Sequence, residues 1–389
     1  MNQSTITLTL KNIGPFSQAE IELKPITIIT GESSTGKTYL LKLLYILLHS
    51  LDQAHRKART DIFPGFTSSL TSTIDSLSKQ MNIKILRENT TQGEIILNIN
   101  TPHKKFTLHL IAEEKRVGLL SAEVEEIKNE PQPITKILLI PEDRLFSLKY
   151  ILPATLELIS KTITELPRML QTEKYGTKLT IPESLKALSR FIPQYTIELL
   201  SHTLLTIINP TLFNEAIEHI NKTIQNYGTI KPELELRMVY TSKLGYQTDI
   251  NTAPEAIGAT IIPILPLPSF LRQESLTKLV LIDHIETNLT PPLIESLIHT
   301  LIEYITKTKN TILIMTAHNL DTLVCIDTAL REHIKNIEEQ VNTYELKLEK
   351  NTITCTKLPT TTKTGIQIPE YLDKYTSQLG NKQARLLTT

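Results

Sequence analysis

The octapeptide GESSTGKT, Gly31 to Thr38, lies between the β-branched run ITIIT and the leucine-rich run YLLKLLYILLHSL. A glycine-framed loop that ends in Gly-Lys-Thr, entered from a strand and left through a helix, wraps phosphate groups. Its glycines let backbone N–H groups converge, and the helix N-terminus adds dipole attraction for an anion. Lys37 is the residue placed for the β and γ phosphates, and Thr38 is placed for Mg²⁺. Glu32, Ser33, Ser34 and Thr35 complete the loop between Gly31 and Gly36. The following helix is apolar almost all round its wheel, which predicts a buried helix in a mixed α/β fold.

A phosphate loop of this kind needs an acid at the end of a neighbouring strand to hold the metal's water shell. KLVLID, residues 278–283, is a short apolar run ending in Asp283, as expected of a buried parallel strand. After the helical segment PPLIESLIHTLIEYITKT comes a second such run, NTILIMTAHN, with His318 at its end. A catalytic carboxylate normally follows the acid, because the attacking water must be oriented and relieved of a proton. His284 stands there instead. Glu286 is the nearest acid, and in continued strand geometry it shares the face of His284 rather than that of Asp283. As a residue type in such a place it reads first as a solvated loop acid and second as a catalytic one, so His284, Glu286 and His318 are the candidate catalytic residues.

Elsewhere, TITLTL and AEIELKPITIIT predict two or three strands around the turn signal Asn12, Gly14, Pro15, and residues 91–118 predict further short strands. From about 144 to 226 the period changes to 3.6, which predicts a helical lobe. ELELRMVYTSKLGYQTDI (233–250) reads as a hairpin. The expected organisation is residues 1–143 as the N-terminal part of a head, 144–226 as the helical lobe, and 227–389 as the C-terminal part of the head. The acidic run EVEEIKNE (123–130) reads as a solvated face, and Glu142 and Arg144 either face a nucleotide or pair on a surface turn.

Composition narrows the classes. Lys plus Arg total 41 and Asp plus Glu total 41, so no net charge argues for nucleic acid, although a local patch is not excluded. Two cysteines, Cys325 and Cys355, form neither a disulfide framework nor a four-cysteine zinc site, and fit a reducing cytoplasm. The uncharged stretch Ile257 to Leu271 is broken by Pro263, Pro266 and Pro268 and is shorter than the roughly 20 residues of a spanning helix, so a soluble chain without membrane contact is expected. The remaining histidines show no metal-ligand spacing, so no metal besides Mg²⁺ is expected.

The motifs in this order resemble the ABC-type P-loop ATPases of the SMC, RecF and OLD superfamily, especially stand-alone AAA-family ATP-binding proteins without a long coiled coil. LKNIGPFSQAEIELKPITIITGESSTGKT resembles their opening, LVLIDHIETNLTPPLIESL their Walker B segment, MTAHN their switch-histidine strand, and IPEDR (Ile140 to Arg144) an element of their Q-loop region. YELKLEKN followed by GIQIPEYLD resembles their C-terminal tail. The resemblance implies a P-loop head with an antiparallel β subdomain near residues 5–28 and 91–118 and a helical insertion, ATP and Mg²⁺ as cofactors, Asp283 as the Walker B acid and His318 as the γ-phosphate sensor. It implies an ATP-dependent homodimer in which two heads sandwich two nucleotides, with a protein partner that the sequence does not name. His284 departs from the Walker B glutamate and Ile285 from the proline after it. EAIG departs from the signature serine-glycine element, with Ala256 at the serine position and Gly258 retained. Asparagine, frequent in this type of Walker A loop, is absent from ESST.

His284 therefore has three readings: a surrogate base, a disabled site, or a residue tolerated at a strand end. A slowly hydrolysing conformational switch and a non-hydrolysing scaffold both follow from an intact loop beside altered hydrolytic elements. A DNA-repair or defence-associated ATPase rests on the resemblance alone. Some relatives in the OLD group end in a nuclease domain. The segment after His318 has no cluster of acids for two metals, so no nuclease is expected.

Overall fold

The computed structural model describes residues 5–58, 64–100, 104–113, 117–126, 135–144, 192–233, 238–272 and 277–377. In chain order the elements are β1 (Thr5–Ile13), β2 (Phe16–Leu23), β3 (Ile26–Gly31), α1 (Lys37–Ala58), α2 (Pro64–Gln80), β4 (Gln92–Asn100), β5 (Lys104–Glu113), β6 (Val117–Glu126) and β7 (Thr135–Ile140). Then follow α3 (Gln194–Ile208), α4 (Pro210–Thr223), β8 (Gly228–Pro232), β9 (Met238–Ser242), β10 (Gln247–Asp249), α5 (Glu255–Ile264), α6 (Leu267–Leu271) and β11 (Thr277–Ile282). The last are α7 (Pro291–Thr306), β12 (Thr311–Ala317), α8 (Leu320–His333), α9 (Ile337–Gln340), β13 (Val341–Glu349), β14 (Thr352–Leu358), β15 (Thr360–Thr361) and β16 (Gly365–Ile366). Two compact units result: Met1–Leu139 with Glu274–Glu286 and Ile302–Thr389, and Ile140–Gln273 with Thr287–Leu301.

The first unit is built on an eleven-stranded sheet of order β6-β5-β4-β1-β2-β14-β13-β3-β12-β11-β7. β1, β2, β4, β5 and β6 pair antiparallel. Their alternation puts one apolar face inward, and the register stacks it: Ile6 lies opposite Leu23 on one side and Ile99 on the other, and Ile99 lies opposite Phe106. Ile6, Leu23, Ile99 and Phe106 are all buried. β3, β11 and β12 are buried along their whole length and run parallel, as does β13 beside β3. Strands covered on both faces need continuous apolar runs, which is why KLVLI and TILIMTA read as they do. α1 is buried nearly all round, with Leu40, Leu41, Leu43, Leu44, Tyr45, Ile46, Leu47 and Leu48 inaccessible, and it packs with α2.

One sequence expectation is refined here and one boundary changes. The antiparallel strands of the expected β subdomain are hydrogen-bonded into the same sheet as the parallel ones, through β14 beside β2. Residues 26–28, expected in the antiparallel part, begin the parallel strand β3. Backbone pairing propagates because β14 arrives from the C-terminal part of the chain, antiparallel to β13 but parallel to β2.

The second unit holds α3 to α6 and a three-stranded antiparallel sheet, β10-β9-β8. The hairpin expected at 233–250 is β9 and β10, with residues 234–237 outside the described part. β8 completes the sheet. Asn209 caps α4 by accepting from the N–H groups of Thr211 and Leu212. Asn221 pairs its side chain with both backbone groups of Ile230, at 2.9 and 2.6 Å, and so fixes β8 against α4. The apolar stretch 257–271 makes two short helices, α5 and α6, parted at Leu265 and Pro266. The helical lobe expected at 144–226 falls largely on residues 145–191, outside the described residues. Of EVEEIKNE, Glu123 to Glu126 end β6, and the rest also lies outside them. Among the described residues no helix is long and apolar enough to cross a membrane.

Candidate functional site

β3, β12 and β11 are neighbours in the parallel part of the sheet, with Thr30 level with Ala317 and Ile282 level with Met315. Three segments that are distant in sequence therefore emerge at the carboxyl edge of the sheet: Gly31–Thr38 after β3, Asp283–Glu286 after β11, and His318 after β12. Ligands of open α/β sheets bind at such edges.

The loop after β3 takes unusual backbone angles. Gly31, Ser34 and Gly36 have φ of 151°, 65° and 83°. A Cβ on Gly31 would lie 2.4 Å from the carbonyl oxygen of Leu346 on β13, so only glycine lets that strand run beside the loop. Lys37 is buried and folds its ammonium into the loop, where Nζ donates to the carbonyls of Gly31 and Glu32, each at 2.7 Å. Thr35 is also buried and donates to Glu32 O at 2.8 Å, whereas Glu32, Ser33 and Ser34 are exposed. Thr38 is half-buried in the first turn of α1, which carries no acid. An anion at that helix end thus meets a lysine and a hydroxyl, with no acid in the helix's own first turn. These features fit a nucleotide's phosphates.

At the end of β11, Asp283 is buried and its Oδ1 accepts from Thr316 Oγ1 at 2.8 Å. The same hydroxyl accepts from the backbone N–H of His284 at 2.7 Å. The expectation that strand geometry continues to Glu286 fails: β11 ends at Ile282, and His284 sits at φ 47° in the left-handed region. That turn buries Ile285 and carries Glu286 inward. Glu286 is not a solvated loop acid, since only 6% of it is exposed. Its Oε1 accepts from the backbone N–H of His318 at 3.0 Å and contacts His318 Nδ1. Burial pushes the Glu286 carboxyl up, but the His318 hydrogen bond and the nearby imidazoles outweigh it, so the group stays below the usual carboxylate range. The rings of His284 and His318 stand 5.1 Å apart, and His284 Nε2 is 3.9 Å from Asp283 Oδ1.

Sequence reasoning missed two participants. Thr316 is hidden in an apolar strand, and only its position level with the acid distinguishes it. Tyr371, in the tail segment GIQIPEYLD, pairs its hydroxyl with Thr30 Oγ1 at 2.8 Å and with the carbonyl of His318 at 3.0 Å. It thereby ties the end of β3 to the end of β12.

In the second unit, α5 starts at Glu255 after Pro254, so Ala256 and Gly258 lie in its first turn. Arg144 is fully buried and donates to the carbonyls of Ala259 (3.4 Å) and Thr287 (3.1 Å). It is not one half of a surface ion pair with the exposed Glu142. A guanidinium with five donors can satisfy several carbonyls at once, which makes it a tie between chain segments.

A Gly-Lys-Thr loop between a buried strand and a buried helix, with an acid and a histidine on the two adjoining strand ends, defines the P-loop ATPase class. The chain belongs to the AAA domain family, whose model matches residues 7–356. Among solved structures it is similar to the Smc head domain from Pyrococcus furiosus with an extended coiled coil, bound to the C-terminal domain of ScpA, at 12% identity and a TM-score of 0.48 over 98% of this chain and 100% of that one. It is similar to the SMC head domain from Thermotoga maritima at 9% identity and a TM-score of 0.44, over 92% of this chain and 100% of that one. A SmcHead bound to the C-winged helix domain of ScpA matches at 10% identity and a TM-score of 0.49, over 90% of this chain and 96% of that one. No curated protein matches the chain.

Proposed function

We propose that the chain is an ATP-dependent conformational switch of the cytoplasm, a slow ATPase whose heads pair when nucleotide is bound. The observation that carries this reading is the inward-folded Lys37 in a loop at the same sheet edge as Asp283 and His318. Gly31 to Thr38 would bind the phosphates, with Lys37 exchanging the Gly31 and Glu32 carbonyls for phosphate oxygens. Thr38 and Asp283 would hold Mg²⁺, which would supply positive charge against the phosphates. Thr316 fixes the rotamer of Asp283 through its hydroxyl.

Glu286 supports a residual hydrolytic role. When His318 Nδ1–H donates to its carboxylate, the imidazole is held as the tautomer with Nε2 as acceptor, the form that orients or deprotonates a water. His284, in the place of the family glutamate, brings an imidazole where a carboxylate would stand, so slow turnover follows. Nucleotide-gated pairing of two heads would then be released by hydrolysis or exchange.

One observation favours a second reading, a non-hydrolysing scaffold that a protein partner recognises in its ATP-ordered state. His284 replaces the Walker B glutamate and Ala256 the signature serine that the resemblance implies. Zero net charge gives nucleic acid no support.

The test is ATP binding and steady-state hydrolysis by wild type, Lys37→Ala and His284→Glu, with chain mass measured in saturating ATP and Mg²⁺. Turnover lost in Lys37→Ala supports the switch. Binding without turnover, with activity gained in His284→Glu, supports the scaffold. Absence of ATP binding defeats both, and a monomer at saturating ATP defeats pairing.

A further inference from the structure

His284, Glu286 and His318 each present one donor atom, and these atoms lie within 4.8 Å of one another. The three residues come from two strand ends that the parallel pairing of β11 with β12 sets side by side. Glu286 is more than nine-tenths buried, and its Oε2 has no hydrogen-bond partner among the described residues. A buried carboxylate oxygen without a donor is costly, and one way to offset that cost is a cation placed against it.

Two imidazoles and one carboxylate suit a borderline transition metal. Magnesium and calcium prefer oxygen-only shells, whereas zinc takes nitrogen readily at 2.0–2.1 Å and accepts three protein donors with an open fourth position. We propose that His284, Glu286 and His318 form a binding site for a divalent transition metal of the Zn²⁺ class, separate from the Thr38 and Asp283 positions. The metal takes the place of the proton in the contact between His318 Nδ1 and Glu286 Oε1, with Oε2 as a second oxygen. Tetrahedral bonds of about 2.0–2.1 Å set donors about 3.3 Å apart, so the His318–Glu286 contact opens and the His284 imidazole closes inward, both by rotation about side-chain bonds. The left-handed turn at His284 is what brings the first imidazole towards the second. Asp283 Oδ1, 3.9 Å from His284 Nε2, stands where an outer-shell carboxylate orients a ligand histidine. An occupied site ties up the imidazole and carboxylate that the metal-free chain holds as a pair, so transition metal and turnover are mutually exclusive states of one edge.

The experiment uses the whole chain, stripped with a chelator and kept free of nucleotide. Zn²⁺ alone is titrated by calorimetry, and Co²⁺ alone is followed by its visible absorption, which reports coordination number independently of catalysis. The variants are Glu286→Gln, nearly isosteric, and His284→Asn, chosen because asparagine tolerates the left-handed backbone. His109→Gln removes a histidine that contacts Glu94 elsewhere and serves as the control. The expected result is one equivalent of Zn²⁺ and a low-coordinate Co²⁺ spectrum in wild type and His109→Gln. Loss of an outer-shell partner alone costs 10–100-fold, so removing a direct donor weakens Zn²⁺ by at least about 100-fold. No Zn²⁺ binding by wild type, or equal affinity in all four proteins, overturns the proposal. Because nucleotide is absent throughout, failure here leaves the ATP reading untouched, and failure of ATP binding leaves this one untouched. Circular dichroism identifies a misfolded variant, and either ligand variant alone decides the outcome.

Discussion

Thr316→Val isolates the hydroxyl that joins the acid of β11 to the turn after it. Thr316 is fully inaccessible within β12, and valine matches its shape and β preference, so backbone and packing change little. Two hydrogen bonds disappear: the one donated to Asp283 Oδ1 at 2.8 Å and the one accepted from the His284 N–H at 2.7 Å. A bond to a charged group is worth about 1.5–3 kcal/mol, and a stranded N–H costs a further ~1–3 kcal/mol. The new methyl returns about 0.8 kcal/mol of burial. The net loss is about 3 kcal/mol, which at ~3 °C per kcal/mol lowers the melting temperature of the unit by about 9 °C. Scanning calorimetry reads this directly. Thr316→Ser keeps the hydroxyl and loses only the methyl, so it retains most of the stability. A cycle with Asp283→Asn reports a coupling of at least about 1 kcal/mol if the two side chains act as a pair. Thr316→Val melting within about 2 °C of wild type, or Thr316→Ser falling just as far, would refute the assignment of this hydroxyl.

The two glycine positions Gly31 and Gly245 separate backbone strain from collision: both have positive φ, but a Cβ meets Leu346 O at 2.4 Å in the first and nothing within 4 Å in the second. Gly245→Ala therefore costs about 1–2 kcal/mol in denaturant melts and Gly31→Ala several times more; equal losses would sink the argument. Burial holds the Tyr344 phenol up at about 12, against a lowering by its hydrogen bond with Glu22. A raised folded value keeps its stabilisation below the unfolded value near 10 and loses it as pH rises through about 12. At pH 11 the phenolate absorbance of wild type should accordingly equal that of Tyr344→Phe and exceed it only at higher pH; a full tyrosine's difference at pH 11 contradicts this. Burial also lifts the Cys355 thiol from 9.0 to about 12, so at pH 8 its thiolate fraction is about 1,000-fold below that of an ordinary thiol. Iodoacetamide followed by peptide mass mapping should leave Cys355 unlabelled long after a free thiol standard has reacted, and parity with the standard would disprove it.

The phosphate loop, the acid at 283 and the histidine at 318 were legible because each is a local event: a strand ends, and the residue just beyond it carries a functional group. Buried parallel strands announce themselves by unbroken apolar runs, so β3, β11 and β12 were also readable. Pairing between distant segments is not written locally. Nothing in ITCTKL states that β14 lies parallel to β2 and so merges two sets of strands into one sheet. Glu286 was misread for a related reason. Alternation assumes extended backbone, and one left-handed residue, His284, reverses which way the next side chains point. Histidine is enriched among the few non-glycine residues that take such a turn, but most histidines do not, so its presence alone does not signal one. Tyr371 and Thr316 escaped because a hydroxyl's meaning depends wholly on what folds against it.

The position of β3 between β12 and β13 also sets a schedule for synthesis. The phosphate loop leaves the ribosome long before the strands that flank β3 on both sides, which lie at 311–317 and 341–349. Until those have emerged, the backbone of ITIIT has no partners, and its apolar side chains have no sheet to join. Translation at about 5–20 residues per second leaves this segment waiting for tens of seconds, the interval in which unpaired apolar strands are most prone to aggregate and in which a chaperone has work to do. A nascent chain stalled before residue 341 therefore carries the whole Gly-Lys-Thr loop yet lacks one of the two strands that hold β3, and the loop's chemistry is acquired only once β13 has been made.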